Sequence, residues 1–288
     1  MKLTTDKRIL IVGLGLIGGS YAKALVKKGY HVSAITRSAS TIDYALEKGI
    51  IAEGTAEIDP RLIGAADIVV FALYPEILMD WLRENQKYLK SGALLTDVTG
   101  VKCCVVYEIQ ELLRPDVEFI GAHPMAGREV YGVENSDDTI FRNANYIVTP
   151  TGKNTEEAIR LCEELGWELG FARVSRLSPE EHDDMIGFLS QLTHCIAIAL
   201  MNCNDTPGME AYTGDSFRDL TRIARINDRM WSELFMCNRQ MLLQHMDAFS
   251  ESFGTLRRML ESGDVEGMRE AMRKSTARRT LFDKKPEP

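Results

Sequence analysis

The stretch Arg8-Ile-Leu-Ile-Val-Gly13-Leu-Gly15-Leu-Ile-Gly18 decides how this chain is read. Its apolar residues run unbroken from Ile9 to Val12 and stop at a glycine, the pattern of a short strand buried on both faces. From Ile17 to Lys28 the spacing turns helical, with Ile17, Tyr21, Ala24 and Leu25 on one side and Gly29 as the stop. Between strand and helix stands G-x-G-x-x-G, and that context gives each glycine a task. Gly13 permits a tight turn, Gly15 lets the backbone approach a pyrophosphate, and Gly18 lets helix and strand pack closely. The backbone of Leu16 and Ile17 then offers N–H groups and the positive end of the helix dipole to the phosphates. The bland alternative is a glycine-rich turn that holds nothing.

Working outward, strands are expected at His31–Thr36, Asp67–Leu73, Ala93–Val98, Glu118–Met125 and Asn145–Pro150, with a last one inside Glu168–Ser175. Helices are expected at Thr41–Lys48, from Pro75, and at Thr155–Gly166. This alternation predicts an α/β fold, an N-terminal Rossmann domain with a doubly wound parallel sheet. After Ser178 the strand signals vanish. Ser178-Pro-Glu-Glu is a helix start with cap, proline and first-turn acids in place. Asn227-Asp228 opens another helix, with Met230, Trp231, Leu234, Phe235, Met241 and Leu242 on an apolar stripe. The division is therefore a dinucleotide-binding domain over 1–175 and an all-helical substrate-binding and dimerisation domain over 176–288. The helical half carries more apolar stripe than it needs alone, which predicts a homodimer.

The 34 basic and 42 acidic residues leave a formal charge of −8, which repels nucleic acid. No C-x-x-C pair occurs among the six cysteines, so neither a metal cage nor a disulfide framework is expected. The first residues lack the apolar run of a secretory signal, and Cys195–Met201 is too short to span a bilayer. A cytoplasmic protein without membrane attachment is the expectation. Residues 283–288 read as a loose tail.

The end of the second expected strand, Thr36-Arg37-Ser38, has no acid for the ribose hydroxyls of NAD. Arg37 with Thr36 and Ser38 suits a 2′-phosphate, so NADP is favoured and NAD is the alternative. Gly121-Ala-His123-Pro-Met-Ala-Gly127 falls at the C-terminal end of a strand, the edge where such sheets bind ligands. A histidine there is suited to proton work near neutrality.

Four segments in order give the chain a resemblance to the prephenate/arogenate dehydrogenase family. They are Gly13–Gly18, Thr96–Lys102, Gly121–Gly127, and Ser216-Phe-Arg218-Asp219-Leu-Thr-Arg222-Ile-Ala224. Glu181-His182-Asp183-Asp184 and Ser190-Gln191-Leu-Thr-His194 add to it. The resemblance implies oxidative decarboxylation: NAD(P)+ takes a hydride from the ring carbon bearing the 4-hydroxyl, CO2 leaves, and the ring becomes aromatic. Prephenate would give 4-hydroxyphenylpyruvate, and arogenate would give tyrosine.

By the same resemblance a neutral His123 accepts the hydrogen bond of the 4-hydroxyl. Arg222 binds a substrate carboxylate, and His194 is a second substrate-side group. Arg218, Asp219 and Glu129 form a supporting charge network. The chain departs from the family pattern at Gly100, where many relatives carry Ser; Thr99 or a water is expected to supply that hydroxyl. Gln191 stands where relatives often have His, and Arg128 is expected to add a substrate cation. His182 is read as bracing a helix. A β-hydroxyacid dehydrogenase is disfavoured because no Lys lies between Lys153 and Lys274. A non-catalytic NADP-binding regulator would keep the glycines without needing His123 and Arg222 together.

Overall fold

The computed structural model describes residues 3–128 and 130–283. In chain order its elements are β1 (Arg8–Val12), α1 (Leu16–Lys27), β2 (His31–Ile35), α2 (Ala39–Glu47), β3 (Glu53–Thr55), α3 (Pro60–Ala65), β4 (Ile68–Phe71), α4 (Pro75–Asn85), β5 (Leu94–Asp97) and α5 (Cys103–Leu112). There follow β6 (Glu118–Pro124), β7 (Asn145–Thr149), α6 (Glu156–Glu168), β8 (Arg173–Arg176), α7 (Pro179–Ile186), α8 (Thr193–Asn202), α9 (Asp215–Thr221), α10 (Asp228–Cys237), α11 (Arg239–Ser262) and α12 (Val265–Arg279).

The strands form one sheet in the order β3-β2-β1-β4-β5-β6-β7-β8. Strand residues alternate between two apolar layers, as a two-residue period demands. Ile9, Ile11, Ile68 and Val70 pack with Tyr21 and Leu25 of α1 and Leu161 of α6. Leu10, Val12, Val69 and Phe71 pack with Ile63 of α3, Leu82 of α4 and Val105 of α5. Both faces are covered, which explains the unbroken apolar runs.

The sheet is parallel from β3 to β6, as the alternation of strands and helices predicts, and β7 runs antiparallel to β6 at one edge. The reason lies in the connection: the described residues of 125–144 form only short 3-10 turns and no crossover helix, and a parallel return needs one. The three-residue strand β3, Glu-Gly-Thr, was not anticipated because it has no apolar run. β6 serves two partners. Glu118–Ile120 pair with β5, and Gly121–Pro124 pair with β7.

The helical portion opens where expected. Ser178 caps α7 with the reciprocal Glu181 bond of a capping box. From Pro179 to Asn202 the helical run is continuous, with a π-helical segment at Gly187–Leu192 joining α7 to α8. By length and composition alone this run could cross a bilayer. Asn227 caps α10 by accepting from the Met230 amide.

By compactness the chain divides at 239/240, into Met1–Arg239 and Gln240–Pro288, whereas the sequence reading divides it at 175/176. The first unit holds the sheet together with α7–α10. Contacts across the change in composition account for this: Glu233 of α10 accepts from the Glu76 amide at 2.7 Å, and Tyr107 of α5 donates to Glu180 of α7 at 2.6 Å. The second unit is helical and exposes Leu243, Phe253 and Leu260 of α11. Of the expected tail, residues 284–288 lie outside the described residues.

Candidate active site

The glycine stretch folds into a cradle at the C-terminal end of β1. Gly13 has φ +96°, and a Cβ there would meet the Ala72 carbonyl oxygen at 2.4 Å. A Cβ on Gly18 would lie 2.0 Å from the Gly13 carbonyl oxygen, so helix and turn touch backbone to backbone. At Gly15 a Cβ would meet nothing within 4 Å: that glycine faces open space. α1 begins at Leu16 with no side-chain cap and no acid in its first turn. Helix N–H groups beside an open glycine fit the pyrophosphate of a dinucleotide. At the end of β2, Arg37 is exposed and has no ion pair or hydrogen bond among the described residues. Ser38 spends its hydroxyl capping α2, accepting from the Thr41 amide at 3.2 Å. Thr36 is partly buried, its amide bonded to the Thr55 carbonyl.

His123 stands in the second half of β6, opposite Ile147 of β7. Its Nδ1 lies 2.8 Å from Nε2 of His182, and Nδ1 of His182 lies 2.8 Å from Oδ1 of Asp183. His182 is fully buried and Asp183 nearly so. Asp183 in turn accepts the backbone N–H groups of Lys102 and Cys103, each at 2.8 Å. Those groups begin α5, so the carboxylate sits on a helix N-terminus. Burial, then His182, then the positive charge of Lys102 push the His123 imidazole well below its ordinary pKa. His123 is therefore neutral at physiological pH.

Beneath this chain lies a fully buried ion pair, with Lys102 Nζ 2.6 Å from Asp97 Oδ2. Asp97 ends β5, and its other oxygen accepts the Ala122 amide at 2.9 Å. The β5–β6 ladder stops at Thr96–Ile120, so this carboxylate carries the connection on to the residue preceding His123. A buried pair of this kind is tolerable only when its remaining hydrogen-bonding capacity is filled. The Thr99 amide donates to Asp97 at 3.0 Å, its hydroxyl donates to the same carboxylate, and Lys102 donates to that hydroxyl at 3.1 Å.

That arrangement corrects two expectations. Thr99 is buried with its hydroxyl committed to Asp97 and Lys102, so it does not replace a serine at Gly100. Gln191 is buried too. Its amide donates to the Leu234 carbonyl at 3.0 Å and accepts from Asn238 at 2.8 Å, tying the π segment to α10 rather than offering a polar group to a ligand. Gly100 itself lies over the catalytic candidate. A Cβ there would be 3.9 Å from His123 Nε2 and 3.7 Å from Leu234.

The other expected residues that the structure describes lie on α8, on and just after α9, and in the segment after β6. His194 donates from Nδ1 to the Ser190 carbonyl at 2.8 Å, and its ring lies 3.7 Å from that of Trp231. Arg222 is exposed and opens a 3-10 turn after α9. Arg218 is engaged locally, by Asp215 at 2.6 Å and the Thr213 carbonyl at 3.0 Å, and Asp219 is exposed. Arg128 pairs with Asp137 at 2.9 Å, on a loop that bonds Ser20 of α1, so its charge is directed to a neighbouring carboxylate. Glu129 lies outside the described residues.

Sequence reasoning missed Asp183, Asp97 and Lys102, and gave His182 only a bracing part. The available signal was spacing: Asp97 and Lys102 flank a tight turn at a strand end, where the long lysine side chain can reach back to the carboxylate.

A family model described as prephenate dehydrogenase, nucleotide-binding domain, matches residues 21–175. A second, described as prephenate dehydrogenase, dimerization domain, matches residues 178–274. The prephenate dehydrogenase of Bacillus subtilis is 30% identical over 269 residues, covering 90% of this chain and 72% of that protein. The cyclohexadienyl dehydrogenase of Zymomonas mobilis is 29% identical over 99% of this chain and 100% of its own. Among solved structures, prephenate dehydrogenase from A. aeolicus in complex with hydroxyphenyl propionate and NAD+ superimposes with a TM-score of 0.90 at 29% identity, covering 98% of this chain and 100% of that one. With a glycine cradle and a neutral histidine at one sheet edge, and with both family models matched in order, this chain belongs to the prephenate dehydrogenase family.

Proposed function

We propose that the chain catalyses the oxidative decarboxylation of prephenate to 4-hydroxyphenylpyruvate, with NADP as the favoured dinucleotide. The observation that carries this reading is His123: neutral, held from Nδ1, and without a protein partner on Nε2 among the described residues. Nε2 accepts the hydrogen bond of the ring 4-hydroxyl and takes its proton as the carbon–oxygen bond gains double-bond character. When bound, the nicotinamide supplies the acceptor for the hydrogen and electron pair leaving that carbon. Loss of CO2 then makes the ring aromatic, so the protein's task is orientation and proton acceptance. Arg222 holds a substrate carboxylate and His194 a second polar group of the substrate, while Arg218, Asp219 and Glu129 support them.

Arg37 supports NADP over NAD: it is exposed, unpaired among the described residues, and stands where an acid would serve NAD. Arogenate is the second substrate reading, favoured by the full-length likeness to a cyclohexadienyl dehydrogenase. A cytoplasmic homodimer is proposed as the working form. Its support is the match to a dimerization-domain model and the exposed Phe188, Leu189 and Met201 on the run Pro179–Asn202. A steady-state assay with prephenate and arogenate, each with NADP and NAD, tests these assignments together. Turnover is expected with prephenate and NADP; failure in all combinations would leave a dinucleotide-binding regulator instead.

A further inference from the structure

We propose that Asp183 and His182 form a positioning relay that fixes which ring nitrogen of His123 is basic. The proposal rests on His123 being the proton acceptor. The argument is one of hydrogen-bond bookkeeping along a buried line. Both oxygens of Asp183 are taken by backbone N–H groups, Oδ1 by Lys102 and Oδ2 by Cys103. Those groups can only donate, and at the N-terminus of α5 they favour the ionised carboxylate, which faces His182 as an acceptor. Burial pushes its pKa up, but the bonds from His182 and the Cys103 amide outweigh this and hold it below the usual range.

It follows that His182 Nδ1 carries a hydrogen and donates to Asp183. In the neutral ring Nε2 of His182 is then a bare acceptor. It faces Nδ1 of His123 at 2.8 Å, so Nδ1 of His123 must carry a hydrogen. The one nitrogen left with a lone pair is Nε2 of His123, on the edge beneath Gly100 where a ligand can approach. Asn238 reinforces the line by donating to the Asp183 carbonyl at 2.8 Å. A ring free to take either tautomer would present an N–H to the substrate hydroxyl part of the time, and that form cannot accept its proton. When His123 does take the proton, the relay leaves an acceptor facing Nδ1 and a carboxylate behind it.

The test combines two variants with a direct reading of the ring. In protein carrying 15N-labelled histidine, His123 of the wild type is expected to show a protonated Nδ1 and a bare Nε2. His182→Leu is expected to show both tautomers and to lose about two orders of magnitude in kcat, with the dinucleotide KM changed about twofold or less. His182→Gln can return an amide oxygen to the Nε2 position, and is expected to recover turnover to within about tenfold of the wild type. A wild-type His123 protonated on Nε2 overturns the proposal, as does full turnover in His182→Leu or a His182→Gln as impaired as the leucine variant. Should His182→Leu fail to fold, the wild-type spectrum still decides. His123→Asn separates this from the parent reading: if it keeps turnover, His123 is not the acceptor, whatever its tautomer.

Discussion

The region around His123 and the region around Arg222 are built in opposite ways. Around His123 the polar groups are buried and bonded to one another, from Asp97 and Lys102 through Asp183 to His182. Around Arg222 the chain is a short helix and a 3-10 turn with exposed charges on either side. The contrast fits the two tasks proposed for these regions. Proton acceptance needs a fixed tautomer and a low-dielectric setting, which only a packed interior supplies. Recognition of a carboxylate needs a cation that can meet a solvated anion, and that cation is best kept near water until the anion arrives. The first side should therefore fail by losing structure or chemistry, and the second by losing affinity.

The largest effect is expected at the base of the buried side. Lys102→Met removes the ion-pair partner of buried Asp97, and should cost about 3–5 kcal/mol of unfolding free energy by denaturant titration. A change below about 1 kcal/mol would mean that the pair is not sealed from water. Next comes His123→Asn. Turnover should fall about a hundredfold or more while dinucleotide binding is kept. In the unaltered enzyme the acid limb tests the same group. The neutral ring is the active form and burial lowers its pKa, so kcat/KM should hold as pH falls past 6.5 and decline only at more acid values. A decline centred at or above 6.5 would show a ring open to solvent.

On the exposed side, Arg222→Ala should raise the substrate KM by about one to two orders of magnitude and leave the dinucleotide KM nearly unchanged. Equal effects on both would remove the carboxylate role and narrow the contrast. The smallest effect is expected from Arg37→Asp, a shift of about tenfold in relative kcat/KM toward NAD. Unchanged preference would place the 2′-phosphate elsewhere.

Legibility in the sequence follows the same divide. The cradle could be read because local geometry dictates it: Gly13 needs a positive φ, and Gly18 has no room for a Cβ. The alternating layers could be read because the strands are apolar on both faces. The antiparallel β7 could not, since a strand's direction depends on the connection before it, and residues 125–144 give no periodic signal. In the site, His123 was legible from its place at a strand end. The relay behind it was not, because Asp183 and His182 meet β6 and α5 only through long-range packing, across 59 positions from His182 to His123. Thr99 and Gln191 were misjudged for a related reason. Their residue types advertise a polar contact, but the sequence does not say whether a ligand or a neighbouring charge will claim it.

The π segment at Gly187–Leu192 sets a condition on how this protein can vary. An α-helix turns about 100° per residue, so removing a single position from that segment would swing every later side chain of the run by about that angle relative to those before it. His182 and Asp183 lie before the segment; His194 lies after it and stacks on Trp231. Side chains within it can be exchanged for others, but its length acts as a phase-setting spacer. Shortening it should uncouple the two ends of the helix while leaving each end well formed.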